Sequence, residues 1–153
     1  MLSEPRWTHV AIPCSDLERS IEFFTKLTPL VLVSRHEDDT GRSAWLSNDK
    51  QVETPFVLVL AEFVPDMARQ FDQEPGQPHR TLGPFAHIGI ELPHREDVDA
   101  VADRAREMGY LHWEPRQMPE HIGYICACTD PDGNVIEFSH NQKVFETIQK
   151  LWG

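Results

Sequence analysis

Residues 7–27, WTHVAIPCSDLERSIEFFTKL, decide how this chain is read. The opening WTHVAIP is a short apolar run that predicts a strand. Ser15 then serves as an N-cap, and Glu18 three residues on completes a capping box that starts a helix. Leu17, Ile21, Phe24 and Leu27 recur within it at helical spacing, so one helix face is apolar. Three strand-like runs follow at 30–35, 42–47 and 55–63, divided by the acidic turn EDDTG and by SNDKQVET.

The same order then returns. FAHIGIELP (85–93) predicts a strand, REDVDAVADRAREMG (95–109) a helix ending at Gly109, and residues near 110–116, 122–129 and 134–139 three more strands. Val98, Val101, Ala102 and Ala105 supply the apolar face of the second helix, and DPDG (130–133) has strong turn chemistry. Between the passages, residues 66–83 are rich in Pro, Gly and polar side chains and read as a linker or an edge-covering loop. The tail NQKVFETIQKLW predicts a last amphipathic helix. The expected architecture is α+β, one domain over 1–153 built from two βαβββ modules that cover each other's open faces. Module one runs over about 6–63, a linker over about 64–83, module two over about 84–140 and a C-terminal helix over about 142–152.

Composition narrows the function classes. The 153 residues are 40% hydrophobic and 25% charged, ordinary values for a globular domain. With 14 basic against 25 acidic residues the net charge is -11, which repels nucleic acid and anionic lipid and favours a small-molecule partner. No apolar run approaches the roughly 18 residues of a membrane span, and the N-terminus lacks a signal-peptide layout, so a cytoplasmic protein is expected. Three cysteines, two of them at 126 and 128 on one strand-like stretch, predict a reduced protein without a disulfide.

The repeat gives the histidines their meaning. His9 in WTHVAIP and His87 in FAHIGIEL fall at the same point of their modules, 78 residues apart. Glu137 lies 50 residues after His87, flanked by Val135, Ile136 and Phe138. A carboxylate in such a strand is costly unless paired, hydrogen-bonded or metal-bound. Each residue alone has an ordinary structural explanation: a hydrogen-bonded strand histidine, or a carboxylate paired with an arginine. Together, two imidazoles and a carboxylate on sheet strands make a 2-His-1-carboxylate set for a divalent metal, with positions left open for water and substrate.

HVAIPCSDLERSIEFF resembles the opening of glyoxalase I and its relatives in the vicinal oxygen chelate superfamily, and FAHIGIEL and TDPDGNVIEFSH resemble the opening and closing of its second module. That resemblance implies strands curling into a U-shaped, mostly antiparallel sheet around one metal, with His9, His87 and Glu137 as ligands. It implies one Fe, Mn, Ni, Zn or Co ion per site and a homodimer, with modules paired within a chain or exchanged across it. The activity implied is that of a lyase or isomerase chelating a small substrate through two adjacent oxygens and stabilising an enediolate or oxyanion. An Fe(II) extradiol-type dioxygenase and a bleomycin-resistance-like binding protein without catalysis are the alternatives.

The chain departs from these relatives at three positions. Glyoxalase I takes a fourth ligand from the last strand of module one, where the repeat offset lands on Val59. Glu62, three residues on, is read as a ligand after a register shift, a free catalytic base or a solvated charge. Bacterial glyoxalase I has an arginine where this chain has Pro13, and ring-cleaving dioxygenases have a tyrosine where it has Ala127. Tyr124 is then either a catalytic phenol displaced from that spacing or a packed strand aromatic. His121 reads as an exposed turn residue and His140 as either lining the site or facing water. Arg35, Arg42 and Arg116 are candidate contacts for an anionic substrate or solvated strand-end charges, and Trp7, Trp45 and Trp113 read as core or rim aromatics.

Overall fold

The computed structural model describes residues 4–53 and 56–153, so Pro55, the first residue of the strand expected at 55–63, lies outside the described residues. The chain divides into two compact units, 1–81 and 82–153. Unit 1 runs β1 (His9–Pro13), α1 (Leu17–Leu27), β2 (Leu30–Asp38), β3 (Gly41–Asn48), β4 (Val57–Phe63) and α2 (Pro65–Gln70). Unit 2 runs β5 (His87–Glu91), α3 (Arg95–Met108), β6 (Leu111–Gln117), β7 (Tyr124–Thr129), β8 (Val135–His140) and α4 (Val144–Trp152).

Each unit holds a four-stranded mixed sheet, ordered β1-β4-β3-β2 in the first and β5-β8-β7-β6 in the second. The first and last strands pair parallel, and the other neighbours are antiparallel. The fold is α+β with the βαβββ order occurring twice, as the repeat predicts.

Helix α1 forms because its apolar residues return every three or four positions and are buried together: Leu17, Ile21, Phe24 and Leu27. They pack against Ala44, Leu46, Leu58 and Leu60 on one face of the sheet. Removing Phe24 entirely from water is worth about 1.5–3 kcal/mol. The helix start corrects the sequence reading by one residue. Asp16, not Ser15, is the N-cap and accepts a hydrogen bond from the Arg19 N–H at 3.1 Å. Glu18 closes no capping box; its carboxylate pairs with Arg35 across to β2.

Helix α3 buries Val98, Val101, Ala102 and Ala105 against its own sheet, and Gly109 ends it in the left-handed region at φ 79°. The DPDG turn is tied by the buried Asp130, whose carboxylate accepts from the Asp132 and Asn134 N–H groups and from Asn134 Nδ2. Asn134 Oδ1 accepts in turn from the Leu82 N–H at 2.7 Å, which fastens the start of unit 2 to its last turn. The expected linker is partly helical, because PDMARQ has Pro at the first turn, an acid at its start and Arg69 at its end. All three cysteines are buried and none forms a disulfide. No helix among the described residues is long and apolar enough to cross a membrane.

Candidate metal centre

In each unit the helix covers one face of the sheet, and the strand period of two assigns alternate side chains to the other face. On β5, His87, Gly89 and Glu91 turn away from α3. Their β8 partners Val135, Glu137 and Ser139 do the same, since His87 registers with Val135 and Gly89 with Glu137. The parallel pairing thus brings His87 Nε2 to 3.8 Å from Glu137 Oε2.

That separation is too long for a direct hydrogen bond. His87 Nδ1 lies 2.6 Å from the Phe85 carbonyl, which can only accept, so Nδ1 carries a proton and Nε2 is the ring atom turned toward Glu137. Nε2 and Glu137 Oε2 thus converge on one point, an arrangement that suits a proton on Nε2 or a cation shared between them. Glu137 is 8% exposed, and its other oxygen accepts from Gln142 Nε2 at 3.3 Å. Gly89 and Ala127 flank it in register, and a Cβ added to Gly89 would meet nothing within 4 Å. The pair therefore has room beside it, and its donors suit a first-row divalent metal. A ring whose far N–H is fixed by a backbone carbonyl is the usual way a ligand histidine is oriented.

Unit 1 has the same frame with different chemistry. His9 registers with Val57 as His87 does with Val135, and is exposed with Nδ1 2.8 Å from the Thr8 hydroxyl. The row that reads Gly89–Glu137–Ala127 in unit 2 reads Ala11–Val59–Trp45 in unit 1. Within neither unit do three His, Cys, Asp or Glu side chains gather as a metal site among the described residues.

Two of the expected catalytic residues are corrected by their faces. Glu62 registers with Arg42 and stands on the helix side of its sheet. It accepts from the Leu17 N–H at 2.7 Å and from Arg42 at 2.8–2.9 Å, so it closes the start of α1 on the face opposite to that of His9. Tyr124 sits on the α3 side of β7, opposite Glu137. Its hydroxyl donates to Asp99 at 2.7 Å and Arg95 lies over its ring at 3.7 Å. The hydrogen bond to Asp99 raises the phenol above its ordinary pKa, the reverse of what a catalytic phenolate needs.

His140 registers with Tyr124 on that same side, its Nδ1 3.3 Å from the Leu92 carbonyl oxygen, and lines a cleft of about 450 Å³ with Arg95, Tyr124 and Asn141. His121 is exposed, as expected for a turn. Cys126 and Cys128 have thiols pushed up to about 12 by burial, which makes them poor nucleophiles. Gln142, which holds Glu137, escaped sequence reading because an amide in a strand-to-helix connection carries no signal of its own.

Comparison with known proteins agrees with this frame. Residues 6–138 match the model of the Glyoxalase/Bleomycin resistance protein/Dioxygenase superfamily. An uncharacterized protein of Pseudomonas aeruginosa is 31% identical over 140 residues, which cover 90% of each chain. Among solved structures, the antibiotic-binding protein TnmS3 of a Streptomyces species superposes with a TM-score of 0.61 at 23% identity, over 92% of this chain and 98% of that one. The trypanothione-dependent glyoxalase I of Leishmania major gives 0.63 at 19% identity, over 96% of this chain and 94% of that one. At these identities the two structures share the fold.

Proposed function

The chain belongs to the glyoxalase/bleomycin resistance protein/dioxygenase superfamily, and on that premise we propose that it is a divalent-metal-dependent enzyme of lyase or isomerase type. Its substrate is a small molecule with two adjacent oxygens. The observation that carries the proposal is the His87–Glu137 pair, with Nδ1 held on the Phe85 carbonyl and Nε2 turned toward the carboxylate.

His9, His87 and Glu137 are the proposed ligands, a set that suits Fe, Mn, Ni, Zn or Co. Bound there, such an ion supplies Lewis acidity to the two adjacent oxygens. The rest falls to the chain's own residues. The Phe85 carbonyl fixes the ring plane of His87, and Gln142 steadies Glu137 Oε1. Glu137, buried beside the open space at Gly89, takes the proton from the carbon next to the oxygens and returns it to its neighbour. Such a transfer consumes no oxidant.

Two features bear on the alternatives. Ala127 and the occupied hydroxyl of Tyr124 leave no phenol on the face that carries Glu137, which weighs against ring-cleaving dioxygenation. The apolar row Ala11–Val59–Trp45, with Trp45 42% exposed, favours ligand sequestration as the second reading.

Deuterium exchange separates the two. Protein reconstituted with Ni(II) or Zn(II) is incubated in D₂O with α-hydroxyketones and with hemithioacetals of 2-oxoaldehydes. Metal-dependent deuterium incorporation next to the carbonyl, abolished in Glu137→Gln, is the expected result. Full metal loading with no exchange on any of these compounds would remove the proton-transfer reading and leave sequestration.

A further inference from the structure

The structure separates the three arginines that the sequence nominates as anion contacts. Arg35 is paired with Glu18 and Arg42 with Glu62, both on the helix side of unit 1. Arg116 makes no ion pair among the described residues, and its guanidinium carbon stands 5.2 Å from the centroid of the Trp113 ring.

A break in strand register puts both side chains on the face that carries Glu137. Trp113 registers with Ala127, which registers with Glu137. Arg116, three residues on, would face the other way in a regular strand, but a register shift between the two pairs it with Ile125 on Trp113's side. Glu114 between them reaches Arg106 on α3 at 2.6 Å, confirming which way its neighbour Trp113 turns. The row Gly89–Glu137–Ala127–Trp113 therefore runs from two small residues around a carboxylate to an aromatic wall. From β8 to β6 is two strand spacings, about 10 Å.

Resting on the proposed function, we infer that the substrate is an anion. Its chelating oxygens lie at the His87–Glu137 end, its planar or apolar middle lies along the half-buried Trp113, and its carboxylate is received by Arg116. A net charge of -11 repels anions over most of the surface. Arg80 and Arg104 also make no ion pair among the described residues, so what marks Arg116 is its place beside Trp113 on the face that carries Glu137. Stacking on Trp113 holds the guanidinium in place before the ligand arrives, which lowers the cost of ordering it.

Two probes differing only at the far end test this: benzohydroxamate, and 4-carboxybenzohydroxamate with its carboxylate across the ring. Calorimetric titration into Zn(II)-reconstituted protein is expected to favour the carboxylated probe by about tenfold, as for one charge-assisted hydrogen bond. Arg116→Gln is expected to equalise the two without weakening benzohydroxamate, Arg116→Lys to keep part of the preference, and Trp113→Leu to weaken both. Metal content is measured on the same samples. Stoichiometric metal with equal affinities in the wild type, or a preference surviving in Arg116→Gln, overturns the anion site alone. Protein that takes up no metal and binds neither probe overturns the functional reading, and this inference with it.

Discussion

Units 1 and 2 share one frame and differ along one row of side chains. In unit 2 that row is Gly89–Glu137–Ala127, a buried carboxylate between two small residues; in unit 1 it is Ala11–Val59–Trp45, an apolar floor ending in an indole. The histidine is retained in both, at the same register. The two sheets thus offer equivalent register positions filled by different side chains. Unit 2 carries a preorganised pair, whereas unit 1 carries one imidazole and a surface suited to apolar contact.

The largest expected effects break the comparison in unit 2, which carries the His87–Glu137 pair. Glu137→Ala or His87→Ala should weaken Zn(II) binding by on the order of a hundredfold or more, because even second-shell losses cost 10–100-fold. Val59→Ala, the matching change in unit 1, should leave it unaltered; competition against a chromophoric chelator reads all three. Equal losses at Val59 and Glu137 would show the asymmetry to be false. His9→Ala should cost less than either, about tenfold, since no preorganised partner stands beside it in its own unit.

A substitution that makes the units alike sharpens the same point. Val59→Glu puts a carboxylate at the position equivalent to Glu137, but Trp45 crowds it where unit 2 has Ala127. The double variant Val59→Glu/Trp45→Ala should therefore bind Zn(II) more tightly than wild type, by about tenfold, and the single variant less so. If neither gains affinity, register equivalence does not extend to ligation.

The smallest effects belong to residues that the comparison assigns to the scaffold. Glu62→Gln should lower the unfolding free energy by about 1–2 kcal/mol, since a charge-assisted bond to the Leu17 N–H is weakened, and leave metal affinity unchanged. A loss of metal in that variant would restore it to the site. Ser20→Ala should be neutral or stabilising by up to about 1 kcal/mol in thermal melts, because the buried Ser20 hydroxyl has no hydrogen-bond partner.

What the sequence revealed, and what it hid, follows strand and helix periodicity. Both βαβββ passages could be read because each strand and helix carries its own apolar period, and His9 and His87 were matched because the passages align without gaps at their openings. Glu62 and Tyr124 stand on the helix side, away from the Glu137 and Val59 rows, for one reason. Glu62 lies three residues from Val59 and Tyr124 three from Ala127, and an odd spacing in a regular strand turns a side chain to the opposite face. Arg116 was unresolvable for the converse reason, since its odd spacing from Trp113 is undone by an irregularity that the residues themselves do not announce. The helix start slipped by one because Ser15 and Asp16 are both good caps, and only the hydrogen bond to Arg19 chooses between them.

The most direct test of the central claim is a long-range ¹H–¹⁵N spectrum of the eight histidine rings during titration with Zn(II). The account predicts that the Nδ1 of His87 is protonated before metal is added, as its contact with the Phe85 carbonyl requires. It predicts that Nε2 of His87 then moves to the metal-bound range together with one ring nitrogen of His9, while the other histidines stay where they were. A His87 ring that keeps its free-imidazole shifts at saturating Zn(II), or that carries its only proton on Nε2, would contradict it.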